Sequence, residues 1–321
     1  MFLNTNFPKA VKYWYQGKFY NWSEAGFHPM MHALHYGSCV FEGIRAYSTA
    51  RGPAIFRLTE HNDRFLLSAG VAKMKSPYTK DQITDFIKQT VRENNLDSCY
   101  IRPLLFYSYG NLGLVPKACP VELAISAWEW GAYLGENAAG GVSAYIIPWR
   151  RVHHTQFNMS AKLGGVYVQS TIAGLEAREQ GFDEAIFLNM EGRVAEGPGQ
   201  NVFIVKDGTL VTNGRLESAL EGITRTSVLE LGHDLGFKTL VGPITKRDLF
   251  GADEAFYCGT AVEIIPIVKV TDGSDPTMPK TAHTIGTGKP GPIALRMIKA
   301  FGEAVTGRDP RYEKWLTYVG K

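Results

Sequence analysis

The sequence lacks the marks of several protein classes. Its four cysteines, Cys39, Cys99, Cys119 and Cys258, lie far apart and form no C-x-x-C pair. In a chain of this size they read as reduced thiols, and Cys39 and Cys258 sit in apolar runs. No basic block stands out: 34 Lys and Arg against 31 Asp and Glu are spread along the chain, which leaves a net charge of +3 and no nucleic-acid footprint. Long apolar runs are missing too. The opening "MFLNTNFPKAVKYWY" has no apolar core of signal-peptide length, and "AVEIIPIV" is far too short to span a bilayer. A cytoplasmic protein with no membrane or nucleic-acid partner is expected.

What is present is ordinary globular material. The 321 residues are 45% hydrophobic and 20% charged, and a chain of that length buries about 75% of its unfolded surface. "KYWYQGKFYNW" alternates aromatics around Gln16-Gly17 and predicts a β-hairpin. "CVFEGIRAY" reads as one strand, and "TEHNDRFLLSAGVAK" as a helix starting at Thr59. A second helix, "TKDQITDFIKQTVRENN", precedes strands "YIRPLLFYSYG" and "VELAISAWEW". The Gly- and Ala-rich stretch at 131–141 is the best linker candidate. Beyond it come a lysine segment with its helix, a meander with turns at Glu191-Gly192 and Asp207-Gly208, and a helix "TRTSVLELGHDLG" closed by Gly236. A strand pair then surrounds "EAFYCGTAVEIIPIVKV". Meanders without regular βαβ alternation give an α+β protein. Its expected parts are a smaller α/β domain at 1–130, an interdomain loop at 131–141 and a larger domain at 142–321 that carries Lys162.

Two apparent motifs fail on context. Gly286, Gly288 and Gly291 have G-x-G-x-x-G spacing, but no strand is expected before them, prolines stand at 290 and 292, and barely 30 residues remain. A turn leading into a helix is the reading, not a dinucleotide fingerprint. His32 and His35, and the adjacent His153-His154, have no carboxylate or cysteine at metal-ligand spacing, so no metal is expected.

A third set of residues describes one chemistry together. Lys162 stands among Ala161, Leu163, Gly164, Gly165, Val166 and Tyr167. A desolvated lysine gives up its charge readily and becomes a nucleophilic amine. Glu196 precedes Gly197-Pro198-Gly199 between apolar strands, where a carboxylate needs a cation or a donor such as a protonated ring nitrogen. The N–H groups of Gly222, Ile223 and Thr224 at a helix start suit a phosphate, and Thr260 in "CGTAVE" offers another donor. An amine for an aldehyde, an acid for a ring nitrogen and a helix end for a phosphate describe pyridoxal 5′-phosphate. Each piece alone has a plainer reading: a solvated lysine, a turn carboxylate, a helix capped by Thr224.

The segments "AKLGGVYVQS", "RVAEGPGQNVF", "LEGITR" and "CGTAVEIIP", in this order, resemble the fold-type IV pyridoxal-phosphate enzymes. Within these, "HALHYGSCVFEGIRAY", "EHNDRF", "YIRPLLFY", "GNLGL" and "WGAYLG" make the chain similar to the branched-chain amino acid aminotransferases. The resemblance implies a two-domain fold of mixed and antiparallel sheets, with a pseudo-barrel packed by helices. It implies Lys162 as the Schiff-base lysine and proton shuttle, Tyr167 on the phenolic oxygen, Glu196 on the ring nitrogen, and Arg64, Ile223, Thr224 and Thr260 on the phosphate. It implies Tyr100, Thr260 and Ala261 for the substrate carboxylate, Arg102 for the distal carboxylate of glutamate, and Phe41, Trp130 and Tyr133 as apolar walls. Residues like Tyr36 and Leu114 would come from a neighbouring subunit, so a homodimer or higher oligomer is implied. The implied reaction exchanges an amino group between branched-chain L-amino acids and 2-oxoglutarate, giving 2-oxo acids and glutamate.

As a strand residue beside Pro103, Arg102 also reads as a structural ion-pair partner. Gln200 stands where the family pattern has glutamate, Tyr107 and Tyr109 where relatives are smaller or acidic, and Trp149, Arg150 and Arg151 suggest no role. D-amino acid aminotransferases, (R)-amine transaminases and aminodeoxychorismate lyases would share Lys162, Glu196 and the phosphate groups, and differ at the "FEGIR" and "YIRP" strands. A silent pyridoxal-phosphate carrier and a dinucleotide-binding protein are the rivals from outside the family's chemistry.

Overall fold

The computed structural model describes residues 7, 9–24, 26–131 and 140–320. Tyr133 and most of the expected loop at 131–141 lie outside them. The chain forms two compact units: 1–131 with 161–165 and 303–321, and 132–160 with 166–302.

The first unit opens with the expected hairpin, β1 (Lys12–Tyr15) and β2 (Lys18–Asn21). Gln16 and Gly17 have φ of +45° and +89°, the left-handed pair that a two-residue hairpin turn demands. A short α1 (His32–Tyr36) leads to β3 (Cys39–Phe41) and β4 (Ile44–Tyr47). The run expected as one strand is therefore two, parted at Glu42-Gly43. β5 (Ala54–Phe56) precedes α2 (Leu58–Val71), α3 (Lys80–Glu93), β6 (Cys99–Tyr107) and β7 (Val121–Trp128).

α2 starts at Leu58 and not at Thr59, because Arg57 takes a left-handed φ of +46° and its N–H donates to the Trp315 carbonyl at 2.6 Å. α3 has a complete capping box between Thr79 and Gln82, and Ile83, Ile87 and Val91 form its buried stripe. The strands run in the order β5-β4-β6-β7-β1-β2, with β3 also on β6. β3 pairs with Leu104–Phe106 and β4 with Cys99–Ile101, so Glu42-Gly43 faces Arg102-Pro103. Pro103 has no N–H to give a ladder, but its carbonyl accepts from the Glu42 N–H at 3.0 Å.

The second unit holds β8 (Val142–Arg150), α4 (Tyr167–Glu179), β9 (Glu184–Leu188), β10 (Asn201–Lys206), β11 (Thr209–Thr212), α5 (Ile223–Asp234), β12 (Lys238–Val241), α6 (Lys246–Phe250), β13 (Glu254–Gly259), β14 (Glu263–Asp272), β15 (Thr281–Thr284) and most of α7 (Pro292–Val305). Its sheet runs β12-β11-β10-β13-β14-β8-β9, with β15 on β14. Asp207 and Gly208 close β10–β11 with φ of +48° and +71°, the hairpin expected there. β16 (Leu316–Tyr318) pairs with β5 and so returns to the first sheet.

Lys162 belongs to the first unit and not to the larger domain expected at 142–321. Local contacts explain why. Leu163 bridges Val40, the Phe41 N–H donates to the Lys162 carbonyl at 3.3 Å, and the Lys162 N–H donates to Ser68 Oγ at 2.9 Å.

The glycine-rich decoy is a turn. Gly286 and Gly288 have φ of +52° and +75°, and a Cβ on Gly286 would lie 2.1 Å from the Asp253 carbonyl oxygen. A short strand, β15, does precede it, against expectation, but it is antiparallel to β14 and begins no βαβ unit. The Glu254 carboxylate accepts from the N–H groups of Ile293 and Ala294 at 3.0 and 2.7 Å, so the start of α7 already holds an anion. Among the described residues, no helix is long and apolar enough to cross a membrane and no His, Cys, Asp and Glu group could hold a metal ion.

Candidate active site

In the first unit the candidate residues gather where β3, β4, β6 and α2 meet the Lys162 segment. Lys162 is half-buried, and its Nζ lies 4.9 Å from the centre of the Phe41 ring. The Arg102 guanidinium lies 4.7 Å from the same ring, and its Nη2 donates to the Tyr100 hydroxyl at 3.0 Å. Arg102 Nε is buried with no hydrogen-bond partner among the described residues, a cost that a bound carboxylate would remove.

The Tyr100 ring meets Trp130 edge-on at 4.5 Å. A Cβ on Gly43 would lie 2.0 Å from the Tyr100 hydroxyl, so only glycine admits that oxygen. Arg45 Nη2 donates to the Trp130 carbonyl at 2.9 Å, which ties β4 to that residue. Tyr107 is turned elsewhere: its hydroxyl donates to the Lys73 carbonyl at 2.7 Å.

Glu42 and His61 were not singled out in the sequence. Both are fully buried. Arg64 donates to both Glu42 oxygens, Nε at 2.7 Å and Nη2 at 2.9 Å, and His61 Nδ1 donates at 2.7 Å. Burial pushes the Glu42 carboxyl up, but the Arg64 charge and the hydrogen bonds from His61 and Arg64 outweigh it and hold it well below the usual carboxylate range. Burial lowers His61 against the upward pull of the Glu42 hydrogen bond and charge, and the charges of Arg64 and Lys162 add to the lowering. Neither residue has a composition signal; only the gap in the strand pairing exposes them.

The second unit carries the rest. Glu196 is buried, and its carboxylate accepts from Arg151 Nε at 2.8 Å and from the Leu220 N–H at 2.9 Å. Arg151, for which the sequence suggested nothing, thus supports the predicted acid. Its Nη1 also reaches Gln169 and Ser170 of α4 at 3.3 and 3.2 Å. Gln200 Nε2 donates to Glu184 at 2.8 Å, so the departure at 200 falls on a different carboxylate.

The N-cap of α5 is Gly222 and not Thr224, because Gly222 is extended (φ −66°, ψ 144°) while Thr224 is already helical. No side chain caps this end, which leaves the first-turn N–H groups of Ile223 and Thr224 facing away from the helix. A Cβ on Gly222 would lie 2.2 Å from Asn201 Oδ1. Tyr167 is the first residue of α4, and Thr260-Ala261 turn between β13 and β14.

These observations fit pyridoxal phosphate: an uncapped helix start with a glycine, a buried and cation-braced carboxylate, and a half-buried lysine over an aromatic ring. Residues 39–270 match the amino-transferase class IV family. A branched-chain-amino-acid aminotransferase of Pseudomonas aeruginosa is 42% identical over 308 residues, covering 95% of this chain and 96% of that one. A crystal structure of the T.th. branched-chain amino acid aminotransferase with pyridoxamine 5′-phosphate has a TM-score of 0.90 at 45% identity, covering 98% of this chain and 100% of that one. The same enzyme complexed with N-(5′-phosphopyridoxyl)-L-glutamate gives 0.89 at 43% identity, covering 98% and 100%. The chain therefore belongs to the class IV aminotransferases, pyridoxal-phosphate-dependent enzymes with the α+β architecture of fold type IV.

Proposed function

We propose that this enzyme transfers the amino group of leucine, isoleucine or valine to 2-oxoglutarate, yielding the 2-oxo acid and L-glutamate. The observation that carries this reading is the Phe41–Tyr100–Arg102 arrangement: an aromatic wall beside a guanidinium whose Nε lacks a partner among the described residues. An apolar side chain packs on the ring, and a distal carboxylate takes the guanidinium fork. The relative solved with a glutamate derivative supports the second half.

When bound, pyridoxal phosphate supplies an electron-accepting ring that stabilises the charge left as a Cα proton departs. Lys162 would hold the cofactor through its Nζ, and that amine would serve as the base and acid for the substrate's Cα proton. Glu196, oriented by Arg151 and the Leu220 N–H, holds the proton at the ring nitrogen. Tyr167 would donate to the phenolic oxygen, while Arg64, Thr260 and the N–H groups of Ile223 and Thr224 would hold the phosphate. Tyr100 and the Thr260 and Ala261 N–H groups orient the substrate carboxylate, with Trp130 and Tyr133 as further walls.

Tyr36 and Leu114 are 44% and 76% exposed, and the Tyr36 hydroxyl donates to the Leu112 carbonyl at 3.0 Å, fixing α1 to that loop. In this reading the pair completes the pocket of a second copy in a homodimer, and the enzyme works in the cytoplasm.

The visible spectrum before and after L-leucine, and separately after D-alanine, tests the reading. Conversion from the aldehyde form to the amine form with L-leucine alone is expected. Conversion with D-alanine alone would replace the substrate class, and no cofactor band after incubation with pyridoxal phosphate would end the assignment.

A further inference from the structure

Glu42 is an expensive residue to place at zero exposure, since a buried ion pair is seldom better for stability than apolar side chains of the same volume. Its partners are arranged asymmetrically. Glu42 and His61 are sealed in the interior, whereas the Arg64 side chain is 13% exposed. A guanidinium held through Nε and Nη2 turns its Nη1 side away from the carboxylate.

Three residues of α2, at 61, 64 and 68, share one helix face. Ser68 Oγ donates to the Arg64 carbonyl at 2.7 Å and accepts from the Lys162 N–H at 2.9 Å. On the other side Phe41, next to Glu42, donates its N–H to the Lys162 carbonyl at 3.3 Å. The Lys162 backbone and the Arg64 side chain are thus tied through one closed set of contacts.

We propose that Glu42, braced by His61, is a positioning residue that fixes the Arg64 guanidinium in register with the Lys162 backbone, so that one rigid frame presents the arginine to the cofactor's phosphate. The inference rests on the assignment of Arg64 to that phosphate. A flexible arginine loses rotamer entropy when a ligand immobilises it, and a fork already seated on a carboxylate has lost it before the ligand arrives. His61 bonds the Glu42 oxygen that Arg64 Nη2 also holds, and its Nε2 is buried without a hydrogen-bond partner among the described residues.

The test compares affinity for pyridoxal phosphate with affinity for pyridoxal, which lacks the phosphate. Full-length protein stripped of cofactor is titrated with each and followed by the visible band. Glu42→Gln should shrink the preference for the phosphorylated compound about tenfold, the size of one charge-assisted hydrogen bond misplaced, with pyridoxal affinity little changed. Equal losses for both compounds, or none, would overturn the proposal in favour of a purely structural role.

Glu42→Asp keeps the charge but is too short to span Arg64 and His61. If the glutamine variant does not fold, the same ratio measured on the aspartate variant decides between the two outcomes. Arg64→Ala separates the layers: an unchanged ratio there would show that Arg64 does not meet the phosphate, a failure of the underlying assignment and not of the Glu42–Arg64 coupling.

Discussion

Two buried glutamates, each followed by glycine, organise the two units in different ways. Glu42 interrupts a strand pair, with both oxygens bonded by Arg64 and a further bond from His61. Glu196 follows the isolated bridge at Val194, with one oxygen bonded by Arg151 and the other by a backbone N–H. The glycines serve packing in both places: a Cβ on Gly43 would lie 2.0 Å from the Tyr100 hydroxyl, and one on Gly197 2.6 Å from Gln200 Oε1. The cations differ in exposure, with the Arg64 side chain at 13% and that of Arg151 at 4%. On the proposed roles, Glu196 with its interior cation presents the carboxylate, whereas Glu42 with its more exposed cation presents Arg64. That contrast predicts different consequences for similar substitutions.

The largest effect is expected at Lys162. Lys162→Ala should lower turnover by at least about a thousandfold while the protein stays folded; retained turnover in a stopped assay of 2-oxo acid would remove the lysine from the chemistry. Next, Glu196→Ala and Glu42→Ala should each destabilise the fold, by about 3–5 kcal/mol where the abandoned cation stays buried. Glu196→Ala should cost more, because Arg151 has less access to water than Arg64. Urea unfolding of both variants without cofactor checks the order, and a reversed order would break the comparison.

Gly43→Ala and Gly197→Ala should be milder, about 1–3 kcal/mol each from overpacking. The Gly43 change should also raise KM for both amino donors, since it displaces Tyr100, while Gly197→Ala pushes on the movable end of Gln200. Equal KM values in the two variants would deny Tyr100 its place at the substrate.

The smallest effect is a pH signature with two opposing signs. Glu42 has a folded pKa below its unfolded value, so its stabilisation is present above the unfolded pKa and lost as pH falls through the folded one. Burial raises Glu184, so its contribution is present below the unfolded pKa and lost as pH rises through the folded one. Stability measured across the acid range should fall less steeply towards low pH in Glu42→Gln than in wild type, by about one proton's slope at most. In Glu184→Gln the decline on raising the pH should disappear instead. Identical slopes in all three proteins would refute both signs.

Much of this protein was legible in its sequence because the relevant forces are local. The hairpin at Gln16-Gly17, the capped and striped α3, and the turn at Asp207-Gly208 each follow from backbone preferences and from side-chain periods within one element. Lys162, Glu196 and Gly222–Thr224 could be proposed together because each lies in a short stretch, and the order and joint chemistry of those stretches describe one cofactor. The start of α2 at Leu58 could not, since it depends on Arg57 meeting the Trp315 carbonyl from the far end of the chain. Nor could Arg151, Glu42 and His61, whose meaning lies in partners 45, 22 and 19 residues away. The assignment of Lys162 to the first unit is of the same kind, resting on Val40, Phe41 and Ser68. By itself the sequence determined most of the elements and the family to which the chain belongs, because propensity, capping and hydrophobic period act over a few residues and the family's motifs are short runs. Only the tertiary structure decided which buried charges support the candidate side chains, because a charge can be buried only where a distant part of the chain delivers its partner.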